Sequence, residues 1–147
     1  MDLILLRHAE AEDTSPDAQR KLTAKGRKDS ARVAKWLLER IPGDFTLYSS
    51  DLVRAKETAR ALGGREPVII NELLPGVSPQ RLLDKVSWPH CDEATVVLVG
   101  HQPQIGQVAA YILGSHGSYK TRKASLWWFK GDERETELFC HICPASL

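Results

Sequence analysis

Cysteine is scarce in this chain, which has three among 147 residues. An odd number of widely spread cysteines does not build a disulfide framework and favours a reducing compartment. Apolar runs as long as a membrane-spanning helix are also missing. The N-terminal run, residues 3–6, passes directly into Arg7 and His8, unlike a signal peptide. We therefore expect a cytoplasmic protein with no membrane partner.

An excess of charge of either sign is missing too. Twenty Lys and Arg against nineteen Asp and Glu give a formal net charge of +1, so no nucleic-acid partner is expected. The chain has no P-loop, no Rossmann glycine fingerprint and no Gly-x-Ser-x-Gly elbow. Cys140 and Cys143 would point to opposite faces of a strand, which disfavours a shared metal. We expect no metal, no cofactor and a monomer.

What the chain does have is an alternation of apolar runs and helical patterns, without repeats or linkers. This pattern predicts one α/β domain over residues 1–147, with three layers, a mostly parallel sheet and helices on both faces. Strands are predicted at 3–6, 45–48, 68–70 and 95–99, and helices at 24–40, 51–62, 79–86 and 103–113. Two late strands, 124–129 and 137–142, are predicted to form a hairpin at the sheet edge. Of the adjacent Trp127 and Trp128, one should face the core and the other outward.

Arginine, histidine and glutamate side chains follow the predicted strands at their carboxyl ends. Arg7 and His8 follow the first strand, and Arg54 lies in the first turn of the helix after the second. Glu72 follows the third strand, and His101 follows the fourth. Because ligands of open α/β sheets bind beyond the carboxyl ends of the strands, we expect these four segments to meet in one site.

These side chains suit phosphoryl transfer. Two guanidinium groups match the geometry of a phosphate, and a neutral imidazole can attack phosphorus. A second histidine can bond the transferring oxygens, and a carboxyl group can protonate a leaving oxygen. Cationic neighbours should lower the pKa of His8 and keep its ring unprotonated near neutral pH.

Four blocks of the sequence resemble the histidine phosphatase superfamily, also called the phosphoglycerate mutase-like family. In chain order they are LILLRHAEAE (3–12), LTAKG (22–26), YSSDLVRAKETA (48–59) and VVLVGHQPQIG (96–106). The resemblance covers nearly the whole chain. Within the superfamily, the short bacterial phosphohistidine phosphatases of the SixA type are the most similar, on compact length and on the stretches RKLTAKG, NELLPG and HQP.

The resemblance implies that His8 is the nucleophile and is transiently phosphorylated on a ring nitrogen. It implies that Arg7, Arg54 and His101 form the rest of the phosphate pocket. Ala9 departs from the pattern, because the superfamily more often has glycine after this histidine. We expect the packing there to shift slightly and not to fail.

Three assignments keep two readings each. Arg20 either reaches the phosphate or substrate or is a surface charge. Glu72 aligns with the acid position of the mutases, but it is equally a solvated glutamate. Imidazole leaves more readily than an alkoxide, so phosphohistidine hydrolysis can proceed with a weak acid or none. The basic stretch 119–123 is either a solvated patch or a surface that steers an acidic phosphoprotein.

The function predicted from these residues is a phosphatase that removes phosphate from a phosphohistidine on a phosphotransfer or phosphocarrier protein. No long insertion is present to cover the pocket, so we expect an open site that suits a side chain on another protein. A small-molecule phosphomonoesterase is the alternative enzyme. A non-catalytic phosphoprotein-binding module is the alternative from another class.

Overall fold

The computed structural model describes residues 1–91 and 94–147, in which six strands and four α-helices alternate. The strands are β1 (Asp2–Arg7), β2 (Thr46–Ser49), β3 (Val68–Ile69), β4 (Thr95–Gly100), β5 (Leu126–Gly131) and β6 (Thr136–Ile142). The helices are α1 (Ala24–Leu38), α2 (Val53–Arg60), α3 (Pro79–Lys85) and α4 (Gln104–Ile112). Short 3-10 helices lie at Asp17–Gln19, Asn71–Leu73 and Pro144–Ser146. Each predicted helix is present, shortened by at most two residues at either end.

The strands pair into one sheet with the order β3-β2-β4-β1-β5-β6. β1, β2, β3 and β4 run parallel to one another. β5 pairs antiparallel with β1 and with β6, and β5 and β6 form a hairpin at one edge of the sheet. The mostly parallel sheet and the edge hairpin are therefore confirmed. In the central pair, Arg7 of β1 lies beside Gly100 of β4, which places the next residues of both strands side by side.

Helices cover both faces of the sheet, so the central strands are buried on both sides. In β1, Ile4 and Leu6 belong to the apolar cluster packed with α1 and α2, while Leu3 and Leu5 belong to the cluster packed with α3 and α4. This alternation is the period of two that a strand imposes. It explains why β1 and β4 are apolar throughout, and it confirms the three-layer prediction.

The prediction that one tryptophan of β5 faces outward is wrong, because Trp127 and Trp128 are both buried. They do point to opposite faces of the strand. Trp128 packs edge-on against Trp36 of α1 with ring centroids 6.3 Å apart, and Trp127 stacks beside Phe129 in the other cluster. Both faces of β5 are covered, and successive side chains of a strand point to opposite faces. The two indoles are therefore buried in two different apolar clusters.

The start of α1 is fixed to the loop that follows β1. Thr23 caps the helix, because its Oγ1 accepts a hydrogen bond of 3.0 Å from the Gly26 backbone N–H. The helix also passes so close to the loop that a Cβ on Gly26 would lie 2.1 Å from the Glu10 carbonyl oxygen. Glycine at this position therefore allows the contact that holds the loop beyond His8 in place.

Candidate active site

The carboxyl ends of β1 and β4 bring His8 and His101 together, as the sequence predicts. The backbone N–H of His8 donates to the Gly100 carbonyl at 3.0 Å, and the two imidazole centroids lie 5.1 Å apart. Both rings are buried, and so is the side chain of Arg54 in the first turn of α2. The positive charges of Arg7 and Arg54 both contribute to lowering the pKa of the two rings.

The His8 ring is held in the form that a nucleophile needs. Its Nδ1 lies 2.7 Å from the Ala9 carbonyl oxygen. Because a carbonyl only accepts, Nδ1 carries the hydrogen and Nε2 keeps its lone pair. Burial, helped by the charges of His101, Arg54 and Arg7, lowers the pKa of His8 to about 3 against the opposing hydrogen bond to Ala9. The direction matches the prediction, but burial and not the cationic neighbours is the largest cause.

Ser50, at the end of β2, orients the His101 ring. The Ser50 Oγ lies 2.7 Å from His101 Nε2 and accepts a weaker bond of 3.4 Å from the Leu52 backbone N–H. Burial, followed by the charge of Arg54, lowers the pKa of His101 to about 4, so this ring is also neutral near pH 7. Ser50 lies in the block YSSDLVRAKETA (48–59), but the sequence gave it no role of its own.

Both arginines keep unused hydrogen-bonding capacity. Arg7 Nη1 donates to the Thr121 carbonyl at 2.8 Å, and Arg54 Nη1 donates to the Asp17 carbonyl at 3.0 Å. The buried Nε atoms of Arg7 and Arg54 and the Nδ1 of His101 have no hydrogen-bond partner within residues 1–91 and 94–147. Buried polar atoms are nearly always paired in proteins, and an oxyanion is the partner that guanidinium groups fit best.

Asp17 is a site residue that sequence reasoning missed. Its Oδ2 lies 3.3 Å from Arg54 Nη2, and its Oδ1 lies 3.3 Å from Arg20 Nη1. The positive charge of Arg54 is the largest cause that lowers the pKa of Asp17. Arg20 also donates from Nε to the Glu12 carbonyl at 2.7 Å. The structure therefore brings Arg20 to the margin of the site, joined to Arg54 through the carboxylate of Asp17.

Ala9 is accommodated without loss of the local hydrogen bonds. It is fully buried in the cluster beside α1 and α2, and its N–H donates to Thr58 Oγ1 at 3.0 Å. Thr58 in turn donates to the Arg54 carbonyl at 2.8 Å, so one hydroxyl ties the His8 loop to α2. Thr58 is a second residue that the sequence gave no reason to select.

Glu72 lies near the site but is not joined to it. It is half-buried in the short helix Asn71–Leu73 after β3, where Gln104 Nε2 donates to its carbonyl at 2.7 Å. The neighbouring Leu73 side chain packs against Gly100, the residue before His101. Within the described residues, no hydrogen bond links the Glu72 carboxylate to His8 or His101.

The described residues contain no group of three or more His, Cys, Asp or Glu side chains arranged to hold a metal ion. In the same part of the chain, none of the helices has the length and apolar character needed to cross a membrane.

Comparison with known proteins identifies relatives of this fold and sequence. The model of the histidine phosphatase superfamily (branch 1) matches residues 3–76. An uncharacterized protein of Picosynechococcus is 31% identical over 132 residues, which are 84% of this chain and 80% of that protein. The protein histidine phosphatase SixA, solved with tungstate, superposes with a TM-score of 0.86 over 99% of both chains at 20% identity. A phosphoserine phosphatase variant of Entamoeba histolytica, bound to phosphoserine, superposes with a TM-score of 0.77 at 18% identity, over 99% of this chain and 98% of that one.

Proposed function

Because this chain belongs to the histidine phosphatase superfamily and is a phosphatase, we propose that His8 is its nucleophile and that its substrate is a phosphohistidine on another protein. The observation that carries the proposal is the neutral His8 ring, with Nε2 free, beside buried nitrogens of Arg7, Arg54 and His101 that lack partners in the described residues. A neutral imidazole next to unused anion donors is the arrangement that covalent phosphoryl transfer requires.

In the first step, His8 Nε2 attacks phosphorus in line while the bond from phosphorus to the substrate imidazole breaks. The bonding electrons stay on the departing ring nitrogen, which takes a proton from water. Arg7 and Arg54 stabilise the charge that spreads over the equatorial oxygens. With Ser50 donating to its Nε2, His101 presents Nδ1–H to the same oxygens. In the second step, water attacks phospho-His8, releases inorganic phosphate and restores the neutral ring.

Two further observations support a phosphoramidate on a protein. Imidazole is a better leaving group than an alkoxide, and the Glu72 carboxylate is not hydrogen-bonded to either histidine, so the reaction is proposed to run without a strong general acid. The SixA structure that shares this fold is described as a protein histidine phosphatase, and it binds tungstate, a tetrahedral oxyanion like phosphate.

A small-molecule phosphomonoesterase is the second candidate. Glu72 favours it, because this half-buried carboxyl group lies at the same edge of the sheet and in a short helix that packs against β4. As a phosphatase the chain is an enzyme, and this sets aside the non-catalytic binding module.

The two candidates separate in one set of assays. The wild-type protein and Glu72→Gln are compared on a phosphohistidine-bearing phosphotransfer protein and on small esters such as phosphoserine. We expect faster turnover of the phosphohistidine, changed less than about threefold by the substitution because no strong acid is needed. The small-molecule function would be assigned instead if the esters were turned over as fast as the phosphohistidine or faster, and if Glu72→Gln sharply lowered ester turnover.

We also propose a cytoplasmic location, which is consistent with the free thiols of Cys91, Cys140 and Cys143. A monomer remains a prediction, and light scattering at the exit of a sizing column would test it.

A further inference from the structure

A cavity of about 610 Å³ adjoins the phosphate site and shares Arg7 with it. We call it the basic cavity. Its cationic lining residues are Arg7, Lys25, Arg32, Lys120, Arg122 and Lys123. In the described part of the chain, Asp29 is the one acidic residue that lines it. Because the whole chain carries a net charge of only +1, this concentration of positive charge is local.

Three of these cations are uncommitted. Lys25 pairs with Asp29 at 2.7 Å, and Arg32 donates to the Leu147 carbonyl. In contrast, Lys120, Arg122 and Lys123 are exposed, and none has a carboxylate partner within residues 1–91 and 94–147. The uncommitted charge therefore lies in one segment, residues 120–123.

The segment that carries these charges is fixed relative to the phosphate site. Its Thr121 carbonyl accepts from Arg7 Nη1 at 2.8 Å, and its Thr121 hydroxyl accepts from Trp127 Nε1 at 2.9 Å. Just before it, the Tyr119 carbonyl accepts from Gln102 Nε2 at 3.0 Å. Tyr119 lies so close to α4 that a Cβ on Gly106 would be 1.9 Å from this carbonyl oxygen. These contacts fix the position of the loop backbone relative to Arg7.

We propose that the basic cavity is the docking surface for an acidic segment of the protein that presents the phosphohistidine. The inference rests on the proposed function and adds the character of the partner. A protein that brings a side chain to Arg7 approaches the adjoining cavity as well, because Arg7 lines both. Aspartate and glutamate beside the phosphohistidine would then meet Lys120, Arg122 and Lys123, which raises the rate of productive encounter at low ionic strength.

The test uses two synthetic phosphohistidine peptides of equal length. One carries several aspartates and glutamates beside the phosphohistidine, and the other carries asparagines and glutamines there. Free phosphohistidine serves as the reference substrate. The test variant is Lys120→Gln/Lys123→Gln, and the matched control is Arg81→Gln/Lys85→Gln, which removes the same charge from exposed positions of α3.

For the wild-type protein at low salt, we expect kcat/KM to favour the acidic peptide by about tenfold, a size typical of electrostatic steering. This preference should fall to about twofold or less in Lys120→Gln/Lys123→Gln and persist in the control. Added salt should also remove it in the wild-type protein, a measurement that depends on no variant.

Equal kcat/KM for the two peptides would overturn the docking surface while leaving the phosphohistidine function intact. An equal loss of preference in both double variants would also overturn it, because net charge and not the basic cavity would be responsible. If neither peptide nor free phosphohistidine is hydrolysed while phosphate esters are, the proposed function fails, and the docking surface fails with it.

Discussion

The two ends of β1 carry charged groups that the fold treats in opposite ways. At the amino end, the Met1 ammonium donates to the Gly131 carbonyl at 3.0 Å, and the Asp2 carboxylate accepts from Trp128 Nε1 at 3.1 Å. At the carboxyl end, the buried Nε of Arg7 has no partner in the described residues. Polar groups at the amino end stabilise the fold, whereas those at the carboxyl end keep capacity for a ligand.

Cavity size does not distinguish the amino end of β1 from its carboxyl end. The amino end also borders a cavity, of about 450 Å³ against about 610 Å³ for the basic cavity. Its lining residues include Met1, Asp2 and Lys130, whose charges are already engaged with groups of the chain itself. Unused buried donors beside a neutral imidazole, not open volume, are therefore the feature that distinguishes the candidate active site.

The largest effect should come from removing the His8 ring. We expect His8→Ala to lower kcat on phosphohistidine by about 10⁴-fold or more, because the proposed covalent step uses the His8 imidazole as its nucleophile. Rapid-mixing kinetics would measure the change, and circular dichroism would show that the variant is folded. A loss of less than about tenfold would contradict the nucleophile assignment.

The next largest effect should come from Arg54. We expect Arg54→Lys to lower kcat/KM by about 10²–10³-fold, because an ammonium cannot replace the planar fork that we propose stabilises the equatorial oxygens. Steady-state kinetics would measure it. Arg60→Lys, at an exposed position of the same helix, is the matched control and should retain wild-type kinetics.

The pH dependence of stability should come from the two buried histidines at the carboxyl ends of β1 and β4. His8 and His101 have pKa values of about 3 and about 4 when folded, below the ordinary value of 6.5. The unfolded chain therefore binds more protons below about pH 6.5, and the free energy of unfolding falls as the pH falls toward the folded values. We expect a loss of about 2 kcal/mol from each ring, and so of up to about 4 kcal/mol, between about pH 7 and pH 5.

Urea denaturation at the two pH values would measure this loss. Aspartates and glutamates contribute little in this window, because most of their titration lies at lower pH. In His8→Ala the loss should be smaller, since one of the two buried rings is gone. Equal stability of the wild-type protein at both pH values would contradict the burial of neutral rings.

A smaller effect should come from the hydroxyl that orients His101. We expect Ser50→Ala to lower kcat about tenfold, because the imidazole loses its 2.7 Å partner and its fixed orientation. Ser50→Thr, which keeps the hydroxyl, should restore most of the rate. Equal losses in the alanine and threonine variants would indicate a packing role for Ser50 in place of the hydrogen bond.

The smallest effect should come from the amino end. Asp2→Ala removes the acceptor of the Trp128 indole N–H and should lower the free energy of unfolding by about 1 kcal/mol. It should leave kcat and KM unchanged, because Asp2 is at the far end of the strand from His8. A change in kcat would contradict the separation of roles between the two ends.

The residues at strand ends were predictable because topology alone places them. Once β1 and β4 are recognised as parallel neighbours, Arg7, His8 and His101 must share an edge of the sheet. Arg54 follows from the same rule, since it lies in the first turn of α2. The hairpin of β5 and β6 was readable from two apolar runs separated by a charged turn.

Other parts of the site depend on contacts that no local pattern encodes. Asp17 reaches Arg54 from a short 3-10 helix that no periodicity in the sequence indicates, and Ser50 meets His101 across 51 positions in the chain. The burial of Trp127 was missed because alternation along a strand says nothing about whether the second face is covered. The main cause of the lowered pKa of His8 was missed for the same reason, since burial is set by packing.

The most direct test of the account is to trap the phosphoryl group on the protein. In separate reactions, an excess of wild-type protein or of His8→Ala is mixed with a phosphotransfer protein that carries a phosphohistidine radiolabelled on phosphorus. Each reaction is quenched at short times. We predict a labelled wild-type adduct that is labile in acid and stable in base, appears before free phosphate and is missing in His8→Ala. Release of phosphate with no labelled adduct, or the same adduct in His8→Ala, would contradict His8 as the nucleophile.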